Sequence, residues 1–413
     1  MAGRKLQAPR GTFDVLPGDG RRRAALRRIA EEVFAAAGYG VIDTPVFEST
    51  ELFARGVGET TDIVQKEMFT FEDQGGRSLT LRPEGTAPVC RAYLEHGMHK
   101  LPQPVKLWYW GPYFRHEAPQ AGRYRQFNQV GIEAIGSLEP SLDAEAILLL
   151  AELLNRTGAK GIRVRLSSLG TPETRRAYSE ELRSYLRAHE SELSDEVRGR
   201  LDANPLRAFD SDHPGTRSVM QEAPKLLERL ASEDEEHFHS VLALLDEAGQ
   251  DYEVDPTLVR GIDYYTRTVF EFTSDALGAQ SGVGGGGRYD GLIEQIGGKA
   301  TPGIGFGAGI ERLLLSLEAT GIEAAPEEID VFVAVQEAEA KPRALPLVQE
   351  LRRRGLRADL DYAGRSLKGQ LTQAGRLGAK AIVEWGPERS TLRRQGQPDE
   401  EVPTAELAER LRT

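Results

Sequence analysis

Residues 105–135 read VKLWYWGPYFRHEAPQAGRYRQFNQVGIEAIG and gather side chains that could hold a charged small molecule. A long strand ends in Arg115-His116-Glu117, a loop carries Arg123 and Arg125, and a second strand returns. Side chains in a strand alternate between faces, so Phe127, Gln129, Gly131 and Glu133 share one face. Four strand residues span about 13 Å. Gln129 and Glu133 can therefore lean inward from either end of a small zwitterion, and Gly131 leaves space between them. Burying Gln and Glu is costly unless something pairs with them. A solvent-facing sheet edge would give the same alternation with no ligand, so this pair of strands alone does not choose.

Three further segments bear on that choice. LTLRPEGTAPVCRAYLEHG puts Glu84, Gly85 and Thr86 at a strand-to-helix junction, where a carboxylate can take an ammonium group. LVRGIDYYTRTVFEF carries Arg260, Tyr264 and Tyr265 just before a strand; read alone it is a satisfied loop with core tyrosines. GFGAGIERL places Arg312 in the first turns of a helix. Arginines with aromatic neighbours beside several acids suit a polyphosphate nucleotide bound together with an amino compound. Gly282, Gly284 and Gly287 fit G-x-G-x-x-G, but they follow a strand in an antiparallel context and open no helix, which argues against a dinucleotide site. His237 and His239 lie among acidic residues without ligand spacing, so they read as a solvated helix start and no metal site is expected. No G-x-x-x-x-G-K-[ST] loop occurs.

These segments need a scaffold. Apolar residues at helical spacing predict a helix over Asp19–Ala37 ended by Gly38. GYGVIDTPVFE reads as a strand ending at Pro45. Strands are expected at Glu67–Phe71, Ser78–Leu81, Val105–Arg115 and Arg125–Ile135, with turn residues that suggest antiparallel pairing. Ser141 or Asp143 should cap a helix running to Gly158, and a strand should follow at Ile162–Ser167. Thr171-Pro172 opens a helix to about His189, and Ser232 with its acidic run opens another. Strands resume at Thr268–Thr273, and GIGFGAGIERLLLSLE reads as strand, turn and helix. The helical stretch of roughly 171–256 thus looks like an insertion into a β-rich region. Beyond Pro326, strands at IDVFVAV, Leu356–Leu360 and Lys380–Trp385 alternate with helices at Ala344–Arg354 and after Ser366, implying a small parallel sheet. The fold class is α+β: an antiparallel core (1–325) with a helical insertion, and a C-terminal α/β unit (326–413).

The 413 residues carry 52 basic and 64 acidic side chains, a net charge of −12. That balance, with 39% hydrophobic residues, suits a soluble globular protein and excludes a disordered or disulfide-built chain. The single cysteine, Cys90, fits a reducing compartment. No secretory leader and no membrane-length apolar run is expected, which points to the cytoplasm. Charge is uneven. Thr171–Pro256 holds 10 basic and 21 acidic residues, whereas Lys341–Arg394 holds 13 and 5, an electrostatic footprint for RNA.

FRHE with GRYRQFNQ, GFGAGIERL, LRPEGTA and VRGIDYYTRTVFEF together resemble histidyl-tRNA synthetases, which are class II aminoacyl-tRNA synthetases. The resemblance runs from about Pro9 to the C-terminus, and its last unit is similar to an anticodon-binding domain. It implies a ligase that activates L-histidine with ATP and Mg2+ and transfers it to tRNA(His). Pro45 resembles the proline of a dimer-interface motif, implying a homodimer. Position by position, Arg115 would hold the α-phosphate and the histidine carboxylate, and Phe127 with Arg312 would sandwich adenine. Arg123 would reach the terminal phosphates; Glu117 would meet the adenine edge or the tRNA end. Glu84, Thr86 and Gln129, with Gly85 between the first two, would surround the α-amino group. Glu133 and Tyr265 would take the imidazole, with Tyr264 and Tyr289 completing that pocket. Arg260 would be an extra cation at the α-phosphate. The rival resemblance is the regulatory subunit of ATP phosphoribosyltransferase, which typically lacks the C-terminal unit and these arginines.

Overall fold

The computed structural model describes residues 6–58, 61–117, 122–277, 282–318, 328–337 and 340–411. Its strands are β1 (Gly40–Val41), β2 (Phe47–Ser49), β3 (Phe69–Glu72), β4 (Ser78–Leu81), β5 (Val105–Phe114), β6 (Gln126–Ile135), β7 (Ile162–Ser168) and β8 (Glu253–Val254). They continue with β9 (Thr266–Ser274), β10 (Gly282–Arg288), β11 (Gly303–Gly309), β12 (Val331–Val335), β13 (Ala358–Leu360), β14 (Ala381–Trp385), β15 (Arg389–Arg394) and β16 (Glu400–Pro403). Contacts divide the chain into Met1–Glu323 and Ala324–Thr413. The boundary expected at 325/326 lies outside the described residues.

The first unit is built on an eight-stranded sheet in the order β1-β5-β6-β11-β10-β9-β7-β8. The pairs from β5 across to β7 are antiparallel, and only the edge pairs β1–β5 and β7–β8 are parallel. The period of two sorts the side chains. Trp108, Val130, Ile132, Phe270 and Phe306 pack with Phe34 and Leu150 of the helices Pro17–Ala36 and Pro140–Arg156 into one apolar core. Tyr109, Gln129 and Glu133 are left on the opposite face, where the site forms. A minor sheet, β2-β4-β3, flanks it.

Several expectations are corrected. GYGVIDTPVFE is two strands, because Pro45 has no N–H for a ladder: β1 pairs with β5 and β2 with β4. Glu67 ends a π-helical turn, Ile63–Glu67, instead of opening β3. Neither Ser141 nor Asp143 caps the helix Pro140–Arg156; proline opens it, and Asp143 is fully buried as a partner of Arg288 and His237. No turn separates β11 from the helix Ile310–Glu318. Thr171 does cap its helix, accepting from the Thr174 N–H.

The glycines of β10 lie inside the sheet and open no helix. A Cβ on Gly286 would run into the Phe306 backbone and side chain at 2.7 Å, so these glycines allow close strand packing. Between β7 and β9 run the helices Pro172–Ala188, Asp195–Arg200, Pro214–Glu222 and Ser232–Glu247.

In the second unit the order is β13-β12-β14-β15-β16. β12 is parallel to β13 and β14 as expected, while β15 and β16 add an antiparallel hairpin that charged sequence had concealed. Ser366 caps the helix Leu367–Arg376. Among the described residues no helix is long and apolar enough to cross a membrane.

Candidate active site

Two adjoining cavities open on the polar face of the large sheet. The first, about 320 Å³, is lined by Glu84, Gly85, Thr86, Tyr109, Tyr264 and Tyr265. The second, about 250 Å³, is lined by Phe127, Gly282, Gly309, Glu311 and Arg312. Arg115, Glu117, Arg123, Gln129 and Arg260 line both. Residues from distant stretches of sequence thus meet in one cleft, acidic at one end and cationic at the other.

The acidic end is tightly bonded. Glu84 accepts from the N–H groups of Thr86 and Ala87, at 2.8 and 2.9 Å, which satisfies the open end of the helix Thr86–Glu95. The Tyr264 hydroxyl donates to it at 3.2 Å. Burial raises the Glu84 pKa, against those hydrogen bonds. Glu133 is fully buried and accepts from Thr86 Oγ1 at 2.8 Å, Tyr109 at 3.2 Å and Tyr289 at 2.6 Å. Burial pushes it up to about 8; the Tyr289 and Thr86 bonds oppose that rise and the charge of Glu84 adds to it. Burial likewise raises Tyr109, Tyr264, Tyr265 and Tyr289, so all four remain hydroxyl donors at neutral pH.

The cationic end is looser. Arg115 donates from Nε to the Pro83 carbonyl at 2.9 Å and lies 5.5 Å over the Phe127 ring. Arg260 pairs with Glu271 at 3.2 Å, and Arg123 with Glu117 at 2.6 Å. Arg312 donates to the Gly282 carbonyl; burial and the nearby Arg123 charge lower its pKa. Among the described residues no group of three His, Cys, Asp or Glu is placed to hold a metal ion.

Of the residues expected from sequence, Glu133 and Tyr289 lie beneath the cavity lining, touching it through Thr86 and Tyr109. The others line one cavity or both. The gap expected above Gly131 is absent: a Cβ there would meet the Tyr109 ring and hydroxyl at 2.5 Å, so the glycine admits Tyr109 instead of a ligand. Gly85 serves the same ring, since its Cβ would lie 2.6 Å from Tyr109 Cζ. Sequence reading missed Tyr109. Its signal was available, because antiparallel register sets it opposite Gly131. Asp62, Glu67 and Arg207 also line the first cavity and carried no motif.

The histidyl-tRNA synthetase family model matches residues 11–313, and an anticodon-binding domain model matches 330–413. A histidine–tRNA ligase of Desulforamulus reducens is 49% identical over 381 residues, covering 92% of this chain and 91% of its own. One from Moorella thermoacetica is 48% identical over 411 residues, covering 98% and 97%. The apo crystal structure of the Staphylococcus aureus histidyl-tRNA synthetase superposes with a TM-score of 0.83 at 37% identity, covering 99% of this chain and 100% of that one.

Proposed function

The chain belongs to the histidyl-tRNA synthetase family and is an ATP-dependent histidine–tRNA ligase of class II, and we propose that its two adjoining cavities divide the first step between them. The observation that carries this reading is the shared wall of Arg115, Gln129 and Arg260, which joins an acidic pocket to a cationic one. Histidine takes the first cavity. Its ammonium group lies against Glu84, Thr86 and Gln129, with Gly85 admitting the Tyr109 ring beside them, and its imidazole lies toward Tyr264 and Tyr265. Glu133 and Tyr289 act from beneath, holding Thr86 and Tyr109 in place.

ATP, supplied as its Mg2+ complex, takes the second cavity. Adenine lies between Phe127 and Arg312, Arg123 reaches the outer phosphates, and Glu117 keeps Arg123 in position until they arrive. The histidine carboxylate oxygen then attacks the α-phosphorus, and pyrophosphate leaves in line. A carboxylate is already an anion at neutral pH, so no general base is needed. Positioning and the cations Arg115 and Arg260 lower the barrier. A ribose hydroxyl at the tRNA 3′ end next attacks the histidyl carbonyl, releasing AMP.

Residues 1–325 form the catalytic domain, with the insertion at about 171–256, and 326–413 read the anticodon of tRNA(His). The protein works in the cytoplasm as a homodimer. Phe47 and Phe71, 47% and 43% exposed with ring centres 6.2 Å apart on the minor sheet, support a partner surface there. The non-catalytic reading, a phosphoribosyltransferase regulatory subunit, is less supported, because Arg115, Arg260, Arg312 and the C-terminal unit are all in place. Histidine-dependent return of labelled pyrophosphate into ATP tests the proposal; its absence at saturating histidine and ATP overturns it.

A further inference from the structure

The helical insertion reaches the reaction centre through a short stretch, residues 200–207. Arg200 makes a two-bond ion pair with Asp62, at 2.9 and 3.1 Å. Asn204 donates to Asp263 at 3.3 Å, and the Asp263 N–H donates to the Val57 carbonyl at 3.3 Å. Arg207 donates from Nη2 to the Gly261 carbonyl at 3.4 Å and from Nη1 to Asp210 at 2.8 Å, and it lies 4.0 Å from Asp62. Three attachments from eight residues therefore fall on two loops of the catalytic core. One loop leads into Ile63 and Glu67 of the cavity wall; the other carries Arg260, Tyr264 and Tyr265.

Arg207 is the hub of this contact. It lines three adjoining cavities, of about 320, 360 and 440 Å³, one of them the pocket shared by Arg115 and Arg260. Its own carboxylate partners leave it held from both sides, and its bond to the Gly261 carbonyl acts on the residue that follows Arg260. We propose that Arg207 is a positioning residue for adenylate formation: with Asp62 and Arg200 it clasps the insertion onto the loop of Arg260 and fixes where that cation sits. The inference rests on the reading of Arg260 as a cation at the α-phosphate. An exposed ion pair would be worth little by itself. Here the geometry matters more, since displacement of a charged group by about 1 Å can cost a reaction roughly a hundredfold.

The test is histidine-dependent pyrophosphate exchange by the full chain, with wild-type exchange established first so that failure of the assigned function is separately visible. Arg207→Ala should lower the exchange kcat about 10- to 100-fold and change KM for histidine less than about threefold, with an unaltered thermal midpoint. Arg207→Lys should recover part of the loss. Asp62→Asn and Arg200→Gln should each lower kcat, and together no further than the worse of the two, the signature of one shared contact. An Arg207→Ala kcat within about threefold of wild type, or additive losses in the Asp62 and Arg200 pair, overturns the proposal. So does a kcat loss that Lys does not relieve and that tracks a fallen thermal midpoint. Should Arg207→Ala fail to fold, the Asp62–Arg200 cycle decides alone.

Discussion

The Tyr289 hydroxyl donates to Glu133 Oε2 at 2.6 Å, and both side chains are all but sealed from solvent, at 1% and 0% exposure. Together with Thr86 and Tyr109, this bond holds the floor of the first cavity. Because burial lifts Glu133 to about 8, the native protein keeps this carboxyl protonated at pH values where the unfolded chain has released the proton. A free glutamate titrates near 4.3.

The sign of the pH effect follows. With the native pKa raised above the unfolded one, the folded state binds more protons, so this group's contribution is full below about pH 4 and is lost as pH rises through about 8. Glu133→Gln keeps the shape and removes the titration. Its thermal midpoint should lie close to wild type at pH 5 and above it at pH 8.5. Equal pH slopes for the two proteins, measured by calorimetry, would show that Glu133 is ionised in the native state.

The role of Arg260 makes a second prediction. Arg260→Ala leaves Glu271 without this partner but still beside Arg165, 3.4 Å away, so the fold should survive. Loss of one preorganised charge at a developing anion typically costs about 10²- to 10³-fold. Single-turnover adenylate formation should fall by that order while the circular dichroism spectrum holds. Near-normal single-turnover rates would remove Arg260 from the chemistry.

Much of the fold was legible because local rules and global packing agreed. The alternation in β5 and β6 named both faces of the central sheet, and Thr171-Pro172 marked a helix start where one occurs. What stayed hidden depends on partners distant in sequence. Asp143 looks like a helix cap by type and spacing, yet it is drawn into the core by Arg288, 145 residues away. Gly131 was read as space for a ligand, because nothing local announces that the Tyr109 ring occupies it. RSTLRR has too many charges to read as a strand, but β15 pairs with β14 on one side and β16 on the other, its arginines reaching Glu384 and Glu401. The contact of Arg207 with Gly261 had no motif at all, since it arises only when the insertion folds back.

Asp143 supports a third prediction. Arg288 Nη2 approaches its Oδ1 at 2.6 Å, Arg288 Nε donates to its Oδ2 at 3.0 Å, and His237 lies 2.8 Å from the same oxygen. Asp143→Ala would leave the fully buried Arg288 guanidinium with Asp290, 3.2 Å away, and the Ser137 and Glu139 carbonyls as its remaining partners, so the loss should approach but not exceed the roughly 3–5 kcal/mol of breaking a buried pair outright. Urea unfolding should show a correspondingly lower midpoint. Because the cluster lies apart from the cavity lining, folded Asp143→Ala protein at low temperature should retain its KM for ATP. A midpoint within experimental error of wild type would mean that the cluster relaxes to water.

The C-terminal unit gives the last prediction. The basic excess of its Lys341–Arg394 stretch is smaller in effect than it looks, because residues 326–413 as a whole balance 15 basic against 15 acidic side chains and many of those cations face internal acids: Arg365 and Lys341 pair with Asp361, Arg354 with Glu350, and Arg393 with Glu384. Asp361 is nearly sealed from solvent, and although burial opposes ionisation, its bonds to Arg365 and Lys341 hold it well below the usual carboxylate range. Those cations serve the domain before they serve RNA. Binding of tRNA should therefore weaken with salt less steeply than 13 free cations would imply, since each neutralised phosphate of a single strand contributes a slope of about −0.7 in logarithmic terms. Removing residues 326–413 should reduce tRNA charging far more than pyrophosphate exchange, because the cavities draw every lining residue from the first unit. Equal loss of both activities would mean that the unit supports the catalytic fold and does not read RNA.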